Sequence, residues 1–286
     1  MSITEFNVWL DNIFVVLYVF VWLFLIWHFT MAIIKGRVRK TFIEGHWPEH
    51  DSRPPALPKF LHAQHMIMMI VLGITGMYIR FPYFDGGRIA MRYIHYFAMI
   101  VVTVNLVWRI WYAFFSKKKD FKEFAITKKD LATAGGVLKY YGYLSDVKPH
   151  VAKYNVMQKM SYILFLFMMI LMAFTGFSLV TAPILFGASP RDLLVGWWLG
   201  NLVGSTDLAG WYMRIIHYIL NWGFIIMTTV HVYLSATVDI PCTLDFFGIK
   251  EMTIVEGGHG HGDHAVAASD EHGPGGGSPD LGFVQH

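Results

Sequence analysis

The sequence predicts an all-α integral membrane protein built as a transmembrane helix bundle, and three observations lead to that fold class. The 286 residues are 55% hydrophobic and 16% aromatic but only 15% charged, which excludes a disordered chain and argues against an ordinary soluble enzyme. Five stretches are nearly free of acidic and basic residues for long enough to cross a bilayer, which takes about 20 apolar residues. Most of them also lack the polar face that a helix packed on a soluble core shows to water. The 23 Lys and Arg against 20 Asp and Glu leave a net charge of only +3, so no basic field points to nucleic acid. The charges are instead segregated along the chain.

Each span follows from that segregation. The first, Ile13 to Ile34, is preceded only by Glu5 and Asp11 and followed at once by Lys35, Arg37, Arg39 and Lys40. The positive-inside rule therefore places the N-terminus outside and runs this span inward. It is too long, and lacks the charged start, for a cleaved signal peptide. The second span, Phe60 to Ile79, returns outward to a connection whose basic residues are Arg80, Arg88 and Arg92. The third, Tyr93 to Phe115, is broken only by Arg109 and leads into a loop holding ten lysines from Lys117 to Lys159. The fourth runs from Met160 to about Thr181, and only Arg191 and Arg214 decorate the connection to the fifth, Ile215 to Val238. The expected topology has the N-terminus outside and the C-terminus inside, with Trp197, Trp198 and Trp211 where an interfacial aromatic belt belongs. Residues 241–286 form a Gly- and His-rich cytoplasmic tail; from Glu256 onward (GGHGHGDH, then GPGGGSP) it has too little apolar surface to fold alone. It reads as a flexible tail, or alternatively as a weak metal-binding tract or a strap onto a partner.

The single cysteine, Cys242, excludes an internal disulfide, a cysteine-ligated iron-sulfur cluster or a Cys-x-x-Cys-His covalent haem site made by this chain alone. Fourteen histidines are the remaining supply of cofactor ligands. Six of them, His28, His62, His65, His95, His217 and His231, lie in spans, where ionisable groups are costly and usually functional. His217 and His231 are 14 residues apart on one helix, which returns them to nearly the same face about 21 Å apart along the axis. At matching depths, His95 starts the third span outside and His62 starts the second span inside. The pairs His95/His217 and His62/His231 would thus hold two haems stacked across the bilayer. Arg92 and Arg214 each precede an outer histidine by three residues, where a guanidinium suits a haem propionate; ordinary flanking anchors are the plainer reading. Gly73, Gly76, Gly176 and Gly223 clear side chains either for a flat macrocycle or for tight helix packing. Thr75-Gly76 and Thr175-Gly176 recur at similar points of two outward-running spans.

These residues carry a family resemblance. PKFLHAQHMIMMIVLGITG (58–76), RYIHYFAMIVVTVNLVWRIWYAFF (92–115), KYNVMQKMSYILFLFMMILMAFTGFSL (153–179) and RIIHYILNWGFIIMTTVHVY (214–233) resemble the di-haem b-type cytochrome subunits of membrane-bound nickel-iron hydrogenases. Gamma subunits of respiratory formate dehydrogenases and cytochromes of thiosulfate reductases belong to the same superfamily. The resemblance covers about residues 58–238. Its most specific parts are the histidines 14 apart and the His-to-Thr-Gly spacing of the second span, which selects His62 over His65 as ligand. RIWYAFF is closer to the hydrogenase branch and KYNVMQK to the formate dehydrogenase branch. The resemblance implies a four-helix di-haem cytochrome b core over residues 58–240, with residues 1–40 an additional N-terminal transmembrane helix. Tyr154, where many hydrogenase cytochromes have a histidine, is a second departure.

The resemblance also implies a function: two haems b passing electrons between the iron-sulfur subunit of a periplasmic hydrogenase, or of a formate dehydrogenase, and menaquinone or ubiquinone in the cytoplasmic membrane. A quinone taking two electrons needs two protons, and the inner side is better equipped to relay them. His28 and His65 are the quinone-site candidates, near a loop holding Glu44, His46, Glu49, His50 and Asp51. Against this, His65 reads equally as a brace for the haem, His28 as helix packing, and the loop as a solvated connection. A reading of another class remains beside the cytochrome: a transporter or structural anchor whose histidines form a proton relay or a divalent-metal path.

Overall fold

The computed structural model describes residues 3–47, 53–117, 119–145, 154–184 and 186–254. Residues 255–286 of the expected tail and the loop residues Glu49, His50 and Asp51 lie outside the described residues, whereas the first part of that tail is not purely flexible, since residues 241–246 continue helix α8. In chain order the α-helices are α1 (Ile3–Ile34), α2 (Ala56–Arg80), α3 (Arg88–Phe115), α4 (Lys128–Tyr141), α5 (Val156–Phe177), α6 (Asn201–Val203), α7 (Thr206–Val238) and α8 (Ile240–Phe246). Five of them, α1, α2, α3, α5 and α7, are long and apolar enough to cross a membrane. All five expected spans are present, and each helix begins before its charge-free stretch because polar residues continue the helical hydrogen bonding beyond the apolar segment. α5 stops earlier than expected, at Phe177. There the Ser178 hydroxyl donates to the Phe174 carbonyl, and the Arg191 N–H donates to the Val180 carbonyl, turning the chain off the helix axis.

The spans form two antiparallel hairpins, α2 with α3 and α5 with α7. Polar glue inside the first hairpin comes from buried Asn105 on α3, whose amide donates to the Leu61 carbonyl and the Gln64 side chain on α2. Hydrogen bonds of this kind help spans associate where lipid gives no hydrophobic drive. α1 lies beside α7 and runs parallel to it, as expected of the first and last of five alternating spans. Their seam is aromatic and polar: Phe14 stacks on Trp222 with centroids 5.6 Å apart, and the Tyr18 and Thr229 hydroxyls are 3.1 Å apart. At one end of this seam Asp11 accepts from Arg80 at 2.9 Å and from the Tyr218 hydroxyl at 2.6 Å.

Several elements outside the spans were not foreseen. α4 starts at a capping box, with the Thr127 hydroxyl on the Asp130 N–H and the Asp130 carboxylate on the Thr127 N–H. Asp130 is also bound at 2.9 Å by the buried Lys159 ammonium of α5. That ammonium and the Thr127 bonds hold the Asp130 carboxyl down at about 2. α5 has its own capping box, Asn155 with Gln158, so much of the KYNVMQK stretch serves to start a helix and dock it on α4. Asp192–Gly200 forms a π-helix, fastened to α7 by the buried cluster Val195, Ala209 and Met213. Trp197 and Trp198 on it are exposed, and their indole N–H groups donate to the Leu193 and Leu194 carbonyls of the same segment.

Candidate haem-binding sites

The first site lies where α2 ends and α3 begins, and where α5 ends and α7 begins. His95 and His217 face each other there with ring centroids 6.5 Å apart. Two imidazoles ligating one iron from opposite faces, each nitrogen about 2 Å from the metal, have ring centres roughly 6 Å apart. The pair therefore fits a bis-histidine haem. Each ring is supported by the Thr-Gly pair of the preceding span. Thr75 Oγ1 lies 2.8 Å from His95 Nδ1 and Thr175 Oγ1 lies 2.9 Å from His217 Nδ1. A Cβ on Gly76 would stand 3.4 Å from His95 Cε1, and one on Gly176 would stand 3.3 Å from both His217 Cε1 and Met99 Sδ. The Thr-Gly recurrence is thus a pair of matching imidazole cradles, with Nε2 left as the coordinating atom.

The second site lies near the other end of the bundle. His62 of α2 and His231 of α7 also stand 6.5 Å apart by ring centroids, so they too fit one iron. Their support differs. Phe246 packs edge-on to His62 at 5.3 Å with Phe247 at 6.5 Å, and Phe165 packs edge-on to His231 at 6.1 Å. Among the described residues neither histidine has a hydrogen-bond partner. Phe246 is delivered by α8, which leaves α7 through a sharp elbow: the Asp239 carboxylate caps the Cys242 N–H, and the Thr243 hydroxyl donates to the Ser235 and Asp239 carbonyls. Lys59, one turn before His62, then fixes the helix by an ion pair of 2.6 Å to the buried carboxylate of Asp245.

The remaining site residues fall out unevenly. Arg92 and Arg214 are exposed, each one turn from its histidine, and neither forms an ion pair among the described residues; both are available to haem carboxylates. Gly73 faces open space, whereas a Cβ on Gly223 would meet Met168 Cε at 2.8 Å, so Gly223 serves helix packing and Gly76 and Gly176 serve the imidazoles. His28 on α1 is buried, with Nδ1 2.6 Å from the Tyr233 hydroxyl and Nε2 3.2 Å from the Tyr141 carbonyl. Both of its nitrogens are thereby engaged. His65 is half-buried, one turn from His62, with no hydrogen-bond partner among the described residues. The Phe246 cover and the Lys59/Asp245 pair carried no sequence signal, because they depend on where the chain turns after its last span. Among the described residues no three His, Cys, Asp or Glu side chains gather as a metal site.

A comparison with curated proteins finds no match to the chain. Residues 54–241 match the family of prokaryotic cytochrome b561. That segment runs from just before α2 through the start of α8 and contains both histidine pairs, while α1 precedes it. The match covers most of the chain, and the chain belongs to the prokaryotic cytochrome b561 family: it is a multi-pass membrane cytochrome that binds haem b and carries electrons.

Proposed function

We propose that the protein is the di-haem electron-transfer subunit of a respiratory complex, with one haem b on His95 and His217 and a second on His62 and His231. The observation that carries this reading is the repetition of one spacing, 6.5 Å between imidazole centroids, at two depths of the bundle. Bound there, haem supplies one-electron redox chemistry. The chain's own groups do the rest. The four histidines ligate, the Thr-Gly cradles and the Phe246 cover orient the rings, and Arg92 and Arg214 hold the propionates. The His95 end faces the periplasm on the basic-residue asymmetry of the loops, where it receives electrons from the iron-sulfur subunit of a nickel-iron hydrogenase. RIWYAFF of α3 supports that partner. The equivalent formate dehydrogenase or thiosulfate reductase complex is the other reading, supported by KYNVMQK.

The quinone site lies at the His62 end. His65 has a ring nitrogen to offer a quinone oxygen, and His28, held by Tyr233 and Tyr141, relays protons behind it rather than touching the quinone. Each quinone takes two electrons from the chain and two protons from the cytoplasm, so turnover charges the membrane. In proteoliposomes reducing a menaquinone analogue, a voltage negative on the proton-uptake side is expected, and an electrically silent turnover would break this part of the reading.

A pyridine haemochrome assay on the purified complex tests the core of the proposal. About two non-covalent b haems per chain are expected, falling to one in His95→Ala and to one in His231→Ala. No haem, or one that survives both substitutions, overturns it. The dehydrogenase that copurifies identifies the partner.

A further inference from the structure

We propose that Thr75 and Thr175 are positioning residues that make the haem at the His95 end the lower-potential one, so that electrons pass spontaneously toward the His62 end. The inference rests on the two-haem reading above. Each threonine hydroxyl has one proton, and each is committed: Thr75 Oγ1 donates to the Val71 carbonyl at 2.7 Å and Thr175 Oγ1 to the Leu171 carbonyl at 2.8 Å, one helical turn back. At the imidazole the hydroxyl oxygen must therefore accept, which places the ring proton on Nδ1 of His95 and of His217.

A ligating imidazole that gives its second N–H to an acceptor is a stronger electron donor at the coordinating nitrogen. Stronger donation favours the more positively charged, oxidised iron and lowers the potential. Here both axial ligands of one haem are treated in the same way. At the other end the rings of His62 and His231 lie against Phe246, Phe247 and Phe165, with no hydrogen-bond acceptor among the described residues. Apolar surroundings disfavour the additional positive charge of oxidised iron and raise the potential. The two effects act in the same direction. Arg92 and Arg214 stand at the His95 end, where neutralising propionates would raise the potential; the proposed order requires the two threonine bonds at one end and the apolar ring surroundings at the other to outweigh them. Each transfer moves one electron, and no bond is made or broken.

Spectroelectrochemical titration of the purified, haem-loaded protein tests this. The wild type should show two waves. In His62→Ala, which leaves the His95-end haem alone, only the lower wave should remain. Thr75→Val, Thr175→Val and the double variant should shift the lower wave upward, the double variant most, without moving the upper wave. Thr75→Ser and Thr175→Ser, which keep the hydroxyl, should titrate as wild type. An unmoved lower wave in the double valine variant overturns the proposal, as does survival of only the upper wave in His62→Ala. If a valine variant loses its haem, the serine variant decides: a retained haem at the wild-type potential supports the hydroxyl's role, and loss in both shows that the residue only fills space. A wild type with fewer than two haems would instead sink the two-haem reading, and this inference with it.

Discussion

At one end of α7, His217 faces His95 across 6.5 Å with a threonine oxygen against each Nδ1 and a glycine beneath each ring. Toward the other end, His231 faces His62 across the same distance, with phenylalanines around the rings and no hydroxyl hydrogen-bonded to them among the described residues. The ligand set and its spacing are the same, and the supporting residues are not. One site is supported from within the hairpins, by the Thr-Gly pairs near the C-terminal ends of α2 and α5. The other depends on a segment that re-enters after the last span. The comparison teaches that the ligands fix where an iron sits, whereas the residues behind the ligands set how it behaves.

The largest expected effect comes from the ligands. His217→Ala and His62→Ala should each halve the haem content and remove different absorbance components; identical difference spectra would erase the distinction between the two ends. Next is the small-residue cradle. Gly176→Val should strip haem from the His95 end alone, because even a Cβ would stand 3.3 Å from both the imidazole and Met99. Gly135→Val, on α4 outside the five spans and away from both histidine pairs, should leave the haem content unchanged. Equal losses in the two variants would mean that glycine serves general packing.

A smaller effect is expected at the aromatic site. Asp245→Asn removes the partner of Lys59 and loosens α8, which carries Phe246 onto His62. Stopped-flow reduction by a water-soluble reductant should then accelerate several-fold for the His62-end haem only. Acceleration at both ends would show that α8 supports the whole bundle. The smallest effect belongs to Asp130, far in function from either site. Its carboxyl is held at about 2 by Lys159 and the Thr127 cap, below the ordinary value of about 4. A depressed folded-state value stabilises the fold fully above the unfolded value and ceases to do so as pH falls through that window. Thermal unfolding in detergent should therefore lose stability between about pH 4 and pH 2 in the wild type, and less in Asp130→Asn, with both haem spectra unchanged at neutral pH.

Much of this was legible in the sequence because a membrane allows few solutions. Charge-free stretches give the spans, and a 14-residue interval on a 3.6-residue helix puts His217 and His231 on one face. The Thr-Gly recurrence was visible too, but not its use, since the hydroxyl and the ring it supports are on different helices. The Phe246 cover could not be read at all: nothing local tells that Asp239 caps a helix folding back toward His62. His28 shows the converse limit. Its place near the end of a span marked it as functional, yet only the packing of α1 on α7 reveals that Tyr233 and Tyr141 occupy both of its nitrogens.

The seam between α1 and α7 also sets the order in which the protein can be finished. A ribosome makes Asp11 first, Arg80 two spans later and Tyr218 last, yet the three meet at one point. Until α2 emerges, Asp11 lacks the Arg80 guanidinium that pairs with it near the start of α1. The Phe14 and Tyr18 contacts, and the His28 bond to Tyr233, close only after α7 is released. Chains that terminate before the fifth span consequently lack the α1–α7 seam and hold α1 through Arg80 of α2 and the Tyr141 carbonyl of α4.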